Sequence, residues 1–384
     1  MLYLYGFLNS QFVKIALKPV VKSFLSSLNP FYVQLGSDNK TILRSIGVNA
    51  ILQDTQSPHG QIYSYNYCPP LAGIIQRKAR AFNNGRVFLM DKDGKESTTK
   101  EAKKLRDLMA RPNVLQNWEQ FSGQAYTFKE IFGEAFIFAL KGIGSSEVSS
   151  MWVLPNWMVS VQYSGKLFYQ SDVSEIITKY IVSYGGSSIE LTTADIIHIK
   201  DSVINSTDIL RGQSRMVSLR DPISNIIAAY EARNVLITKR GSIGILSNNS
   251  SDVTGSVPLR QDEKDELQKD FQTYGLGKAQ SQVIITSSNL QWQSMTFPTR
   301  DLMLFEEIED DVRQIADNYE YPMYLLGFKA GTTFSNVGEA KKSLYQDAII
   351  PDSESFYSAL TQYFNTEKYG FSLKVFFDHL DILQ

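Results

Sequence analysis

The sequence predicts an α+β protein, on three observations. Residues 151–200 alternate short apolar runs with turn residues. Residues 299–318 carry one apolar stripe at helical spacing. A second long helix opens at Asp221, and the two helices bracket a smaller stretch, 241–298. Runs bounded by Gly, Pro and Asn read as strands, whereas a period near 3.6 reads as helix.

The elements follow in order. Met1–Val13 is apolar, yet no basic residue precedes it and no small-x-small site follows, so it is not read as a signal peptide. It is also shorter than the roughly 18 residues a membrane span needs. Lys14, Lys18 and Lys22 recur every four residues, placing them on one helix face with Pro19 interrupting. That face suits a packed surface helix or a membrane-surface helix. Pro69 and Pro70 precede an apolar helix with Leu71, Ile74 and Ile75. Arg86–Met90 is a strand, followed by a turn in which Gly94 supplies positive φ. Lys100–Met109 is a charged helix with Leu105, Leu108 and Met109 on its apolar side. Trp118–Leu140 holds a helix and then the strand Ala135–Leu140.

Met151–Leu154, Met158–Tyr163, Ile176–Tyr184 and Ile196–Lys200 are the next strands, separated by Pro155-Asn156, Ser164-Gly165 and Gly185-Gly186. Asp221-Pro222 reads as a helix start, with Asp at the cap and Pro at the first helical position. Ile223, Ile226, Ile227, Tyr230, Leu236 and Ile237 continue it to about Lys239. Residues 241–298 hold short strands (Ile243–Leu246, Val283–Thr286, Leu290–Met295) around a charged helix, Gln261–Tyr274. In 299–318 the apolar positions are Leu302, Phe305, Ile308, Val312 and Ile315, continued by Tyr319. This helix is about 29 Å long at the usual rise per residue. Two readings stand here: a unit carried away from the body by two side-by-side helices, or an ordinary α+β domain with a helix pair in its core.

Composition removes several function classes. The 384 residues can bury a large core, and 43% hydrophobic with 20% charged residues is a folded composition. One cysteine, Cys68, cannot form an internal disulfide or a Cys-rich zinc site. A formal net charge of −2 argues against a protein that grips phosphates.

The chemistry-bearing residues form no catalytic pattern. Among the three histidines, His198 lies in the apolar run Ile196–Ile199 and reads as a sheet or core residue. His59 and His379 have no metal-ligand spacing around them. Gly275-Leu276-Gly277-Lys278-Ala279 lacks the first glycine and the Ser or Thr of a phosphate loop. Glu306, Glu307, Glu309, Asp310 and Asp311 diverge around a helix axis, so they read as a solvated face rather than a metal cluster. No catalytic residue, metal or cofactor is expected.

A family becomes visible in the order of signals. Leu210-Arg211-Gly212-Gln213-Ser214 precedes the first long helix, which ends in Lys239-Arg240-Gly241-Ser242. The acidic helix ends in Asp317-Asn318-Tyr319, followed by Tyr321-Pro322-Met323-Tyr324-Leu325-Leu326-Gly327. After a Gly/Thr loop, Phe334-Ser335-Asn336-Val337-Gly338-Glu339-Ala340 opens another helix leading to Ile350-Pro351. Arg111-Pro112-Asn113, Phe132-Gly133-Glu134 and Val153-Leu154-Pro155 agree more loosely. Across roughly residues 65–365 the chain resembles the portal proteins of tailed bacteriophages, in their compact siphophage-type class. That family more often has asparagine where Glu134 stands.

The resemblance implies a portal fold: an α/β wing (1–220), a first stem helix (221–240), a clip (241–298) and a second stem helix (299–318). A tunnel-loop region (319–336) and a return to the wing with a short helical crown (337–384) would complete it. It implies a homo-oligomeric ring, usually of twelve, at one capsid vertex of a virion assembled in a bacterial cytoplasm. Its expected partners are the terminase large subunit, a head-completion adaptor, the major capsid or scaffold protein and passing double-stranded DNA, with no membrane. Phe328, Lys329, Gly331, Thr332 and Thr333 would face DNA. Glu306, Glu309, Asp310 and Asp317 are candidates for an acidic channel wall. Arg260, Glu263, Lys264 and Lys278 are candidates for partner docking on the clip.

A portal makes no bond. Each neutralised phosphate adds salt-sensitive affinity that would brake DNA, so a neutral or acidic channel suits it. Two other readings stay open: a hydrolase using two carboxylates, and a structural adaptor that never surrounds DNA.

Overall fold

The computed structural model describes residues 33–35, 40–45, 48–142, 147–166, 172–205, 208, 210–238, 244–248, 251–252, 255–256, 262, 265, 290–294, 304–327 and 334–377. The chain forms two compact units, one of residues 1–224 with 312–384, the other Asn225–Asp311. The expected N-terminal lysine face, most of the helix Gln261–Tyr274 and the strand Val283–Thr286 lie outside the described residues.

The larger unit begins with an antiparallel sheet, β1 (Val33–Leu35), β2 (Lys40–Ser45) and β3 (Val48–Gln53). Two helices follow, α1 (Pro58–Tyr67) and α2 (Pro69–Asn83). Cys68 between them is extended and fully buried, because the residue before a proline is pushed out of the helical region. Next come β4 (Arg86–Asp91), α3 (Lys100–Ala110) and α4 (Trp118–Phe132). Thr99 caps α3, and Asn117 with Gln120 forms a capping box on α4. The buried face of α2, with Leu71, Ile74, Ile75 and Phe82, belongs to the same core as Phe121, Ala125 and Tyr126 of α4. Phe82 stacks on Tyr126 with ring centroids 4.3 Å apart.

The middle strands are β5 (Glu134–Lys141), β6 (Val148–Leu154), β7 (Val159–Tyr163), β8 (Ile177–Tyr184), β9 (Ser187–Leu191) and β10 (Ile196–Lys200). They make two antiparallel sheets, ordered β10-β5-β6 and β7-β8-β9. Phe136 of β5, Val159 of β7, Ile177 and Tyr180 of β8 and Ile196 of β10 form a buried cluster, with the partly buried Leu154 and Leu191 packed against it. β9 was not among the expected strands; its residues are almost all exposed, so it has no hydrophobic alternation to read.

α5 (Arg220–Thr238) leads out of this unit. It begins one residue before the expected cap, so Asp221 and Pro222 both sit in its first turn, where a missing N–H is harmless. In the smaller unit, β11 (Gly244–Asn248) is followed by a short ladder of β12 (Ser251–Asp252) and β13 (Gly255–Ser256). β11 itself pairs with β14 (Leu290–Ser294), placing Leu246 opposite Trp292. Within this unit the amide of Asn225 lies 3.5 Å from Asp311 Oδ1.

α6 (Leu304–Asn318) brings the chain back to the larger unit. There Val312, Ile315 and Tyr319 are fully buried, the stripe the sequence predicts. α7 (Phe334–Ser343), a π-helical turn at Leu344–Ile349 and α8 (Ile350–Tyr363) then run on as one helix. The widened turn precedes Pro351, which cannot donate to an ordinary turn. β15 (Phe371–Phe376) closes the unit by pairing with β4, Leu373 opposite Leu89. α8 adds Phe356 to the aromatic core, its ring 5.3 Å from that of Phe82.

Candidate functional site

Two stretches that carry the family signal meet in the larger unit. Gly133 ends α4 at φ 74, a left-handed cap. A Cβ there would lie 2.1 Å from the Gln213 carbonyl oxygen, and one on Gly212 would lie 2.1 Å from the Gly133 carbonyl oxygen. Only glycines allow the two backbones to approach this closely.

The contact places Glu134 against Arg211. Glu134 Oε1 accepts from Arg211 Nε at 2.7 Å and from the terminal guanidinium nitrogen. Its Oε2 accepts the Gly212 N–H at 3.0 Å and lies 2.9 Å from His198 Nε2. The guanidinium also lies over the Phe136 ring, 5.4 Å from its centroid. Burial pushes the Glu134 carboxyl up, but hydrogen bonds from His198 and Arg211 outweigh it and hold the group below its ordinary value. Burial holds the His198 imidazole below its ordinary value despite Glu134. A neutral ring beside a carboxylate must carry its proton on Nε2, so His198 donates to Glu134. The departure from asparagine at 134, without a role in the sequence reading, thus has a structural one: a charged acceptor for Arg211. A cavity of about 330 Å³ opens beside this group, lined among others by Asn156, Asp208 and Arg211.

A second charged set lies deeper. Lys78 Nζ is 2.8 Å from Glu130 Oε2, and both side chains are fully buried. Lys129 Nζ is 2.7 Å from Asp352 Oδ1 and 3.7 Å from Asp201 Oδ1. Arg215 Nε reaches Asp201 Oδ2 at 3.1 Å. Tyr126 donates to Asp352 Oδ2 at 2.7 Å, and Tyr319 donates to the Glu130 carbonyl at 3.2 Å. Three cations thus face three anions drawn from α2, α4, α8 and the segments after β10 and before α5. Burial acts to raise the Asp352 carboxyl, but the charges of Lys129 and Lys78 and its hydrogen bonds pull it down to about 2. Burial alone would lower Lys129, yet Glu130, Asp352 and Asp201 raise it. The set is charged and compensated, which suits a fixed scaffold rather than proton transfer.

α6 ends where α5 begins. Asn318 Nδ2 donates to Ser218 Oγ at 3.2 Å, and Arg215 donates to the Asn318 carbonyl at 2.9 Å. Of the candidate acidic wall, Asp310 and Asp317 are exposed and Glu309 is half-buried; the side chain of Glu306 lies outside the described residues. Asp311, expected on the solvated face, is 8% exposed, and burial raises its carboxyl above the ordinary value. Phe328, Lys329, Gly331, Thr332 and Thr333 lie outside the described residues, as do Arg260, Glu263, Lys264 and Lys278.

Sequence reasoning missed the buried set. Lys78 stands three residues after Ile75 and four before Phe82, on an apolar stripe, and that placement was its only signal. Among the described residues, no group of three or more His, Cys, Asp and Glu is placed to hold a metal ion. Among them also, no helix is long and apolar enough to cross a membrane.

Known proteins are similar to this chain in sequence and in fold. The phage portal protein family matches residues 75–383. Among curated proteins, an uncharacterized protein of Rickettsia bellii (strain RML369-C) is 22% identical over 68% of this chain. One of Rickettsia felis (strain ATCC VR-1525 / URRWXCal2) is 21% identical over 67% of it. The matched part spans 65% and 64% of those two relatives' lengths. Among solved structures, the neck of a native gene transfer agent particle computed with C12 symmetry covers 84% of this chain and 85% of its own, at 18% identity and TM-score 0.57. An HK97-family phage portal protein from Corynebacterium diphtheriae covers 85% of this chain and 97% of its own, at 10% identity and TM-score 0.56. The mixed helix-and-strand fold is therefore that of portal proteins, which are structural and perform no enzymatic step, so the hydrolase reading falls. The chain belongs to the phage portal protein family.

Proposed function

We propose that copies of this chain close into a ring, twelve in number, at one vertex of a capsid. The ring is the channel through which double-stranded DNA enters and leaves, and the docking site for the terminase motor and then the head-completion adaptor. In this reading 221–240 and 299–318 are the stem helices and 241–298 the clip. Residues 1–220 form the wing, 319–336 the tunnel-loop region, and 337–384 the return to the wing and the crown. The wing meets the major capsid or scaffold protein, within a virion assembled in a bacterial cytoplasm.

The observation that carries the reading is the meeting of Ser218 with Asn318. The chain leaves the larger unit and returns to it at one place, with a compact unit of its own in between. Such an insertion between two helices suits a clip. Exposed apolar side chains at two separate places, Val114 with Leu115 and Tyr184 with Ile189, supply the unlike surfaces that a head-to-tail ring joins. The exposed Asp310 and Asp317 suit a wall that repels phosphate, with Glu306 and Glu309 on the same helix. Phe328, Lys329, Gly331, Thr332 and Thr333 form the loop that touches DNA. Arg260, Glu263, Lys264 and Lys278 meet the docking partners.

Negative-stain electron microscopy with light scattering tests the proposal. Rings with a central hole are the expected result, and monomers at every concentration overturn it.

A further inference from the structure

The cavity of about 330 Å³ beside Glu134 is lined from α1, the end of α4, the turn before β7 and the stretch before α5. It has room for more than a single solvent molecule, since a water takes up about 30 Å³ of the liquid. Pockets for small molecules begin near this size.

The hydrogen bonds around it leave acceptors over. Asn156 lines the cavity and is 2% exposed. Its Nδ2 donates to the Glu134 carbonyl at 2.9 Å, which fixes the orientation of the amide. Its Oδ1 has no hydrogen-bond partner among the described residues, a costly state for a buried oxygen. Gln61, also in the lining and buried, gives its amide hydrogens to the carbonyls of Thr55 and Gln56 at 3.0 and 3.4 Å. What Gln61 has left to offer is therefore an oxygen too. Asp208 accepts one bond on each carboxylate oxygen, from the Leu210 N–H at 3.0 Å and the Tyr163 hydroxyl at 2.6 Å. A carboxylate can accept about twice that many.

The charges point the same way. Glu134 and Asp208 are both in the lining, against Arg211 as its one cation, so the wall keeps a net negative charge. Glu134 is already served by Arg211, the Gly212 N–H and His198, which leaves Asp208 as the open carboxylate. We infer that this cavity binds a small organic cation bearing N–H donors, an alkylammonium or alkylguanidinium. Its charged head sits on Asp208, and its remaining hydrogens go to the amide oxygens of Asn156 and Gln61. A bare divalent metal suits the wall less, because it needs several converging oxygens. Among the described residues no group of three or more His, Cys, Asp and Glu is placed to hold one. An anion would meet the surplus of carboxylate. All of these residues belong to the larger unit, so the inference does not depend on ring closure or on the passage of DNA.

Equilibrium dialysis of the full chain against radiolabelled agmatine, which carries an ammonium and a guanidinium, tests this. Saturation at one agmatine per chain is expected. Asp208→Asn, which keeps the shape and removes the charge, is expected to weaken binding about tenfold or more with the thermal midpoint of the unliganded chain unchanged. Undiminished binding by that variant overturns the inference. Two competitors decide the ligand class on the unaltered chain, whatever the variant does to folding. Butylurea has N–H donors and no charge, and is expected to displace agmatine at least about tenfold less well than unlabelled agmatine does. Equal displacement overturns the choice of a cation. Magnesium is expected to leave agmatine bound, and displacement by an equal concentration overturns the choice of an organic one. No retention of agmatine up to about 10 mM, weaker than any specific site of this kind, overturns the inference outright and leaves a cavity for water.

Discussion

Lys78 Nζ lies 2.8 Å from Glu130 Oε2 with neither side chain reaching solvent. The pair joins α2 to α4 in the middle of an apolar interface, where an unpartnered charge is costly. Lys78 is also 3.5 Å from Asp352, so the pair is one edge of a larger balanced set. Lys78→Ala removes the nearer cation of Glu130, leaving it only the Lys129 ammonium at 3.7 Å, and is expected to cost about 3 kcal/mol. Lys78→Met with Glu130→Leu, which removes both charges and keeps volume, is expected to cost far less. Urea midpoints of the two variants check this.

Acid sensitivity follows from Asp352. Its carboxyl titrates at about 2 in the folded chain, below the ordinary carboxylate value near 3.9 of an unfolded one. The folded state therefore prefers the ionised form. The stability this supplies, about 2–3 kcal/mol, is complete above pH 4 and lost as pH falls through about 2. Asp352→Asn is expected to flatten the unfolding free energy between those limits and lower it at neutral pH. Denaturant titrations at stepped pH measure both effects.

The backbone contact between Gly133 and Gly212 admits no Cβ on either side. Gly133→Ala meets a carbonyl at 2.1 Å and a left-handed φ together. A loss above about 3 kcal/mol is expected, against about 1 kcal/mol for Gly94→Ala, where only the φ is unfavourable. Thermal midpoints of the two variants separate the causes.

Glu320 offers the opposite case. Glycine at its left-handed position removes strain and loses only the long contact to Arg215, from a side chain that is half exposed. Glu320→Gly is expected to stabilise by about 0.5–1 kcal/mol. A lower thermal midpoint would mean that the Arg215 contact outweighs the strain.

Leu115 tests the ring surface. Asn113 Oδ1 accepts the N–H groups of Leu115 and Gln116, both at 2.9 Å, so the turn presents Val114 and Leu115 in a fixed pose. Leu115→Ser removes apolar area but no contact of the folded chain's core. Stability is expected to stay within about 0.5 kcal/mol while ring yield drops several-fold. Size-exclusion with light scattering reads the yield.

Much was legible because it is periodic or local. The stripe of Val312, Ile315 and Tyr319 is buried as spacing predicts, since a helix repeats its face every few residues regardless of context. The strand around 134–141 could be read as a short apolar run, since its first residues are buried on both faces, and 177–184 by its apolar run ending at the Gly185-Gly186 turn. β15 pairing with β4 was not legible, since the partners are far apart in the chain and a ladder leaves no local trace. Nor was the role of Glu134. Its three partners come from β10 and from the stretch before α5, and nothing in the residues around it names them.

By itself the sequence determined the α+β class, the two long helices bracketing a separate stretch, the absence of catalytic or metal-ligand spacing, and the resemblance to portal proteins. Those are matters of residue type, order and period. Tertiary structure decided which charges are buried and with whom. Lys78, Lys129 and Arg215 look like surface cations in one dimension, and only folding brings Glu130, Asp201 and Asp352 within reach of them. A buried charge is tolerable only beside its opposite, and that neighbour is supplied by the fold rather than by the chain next to it.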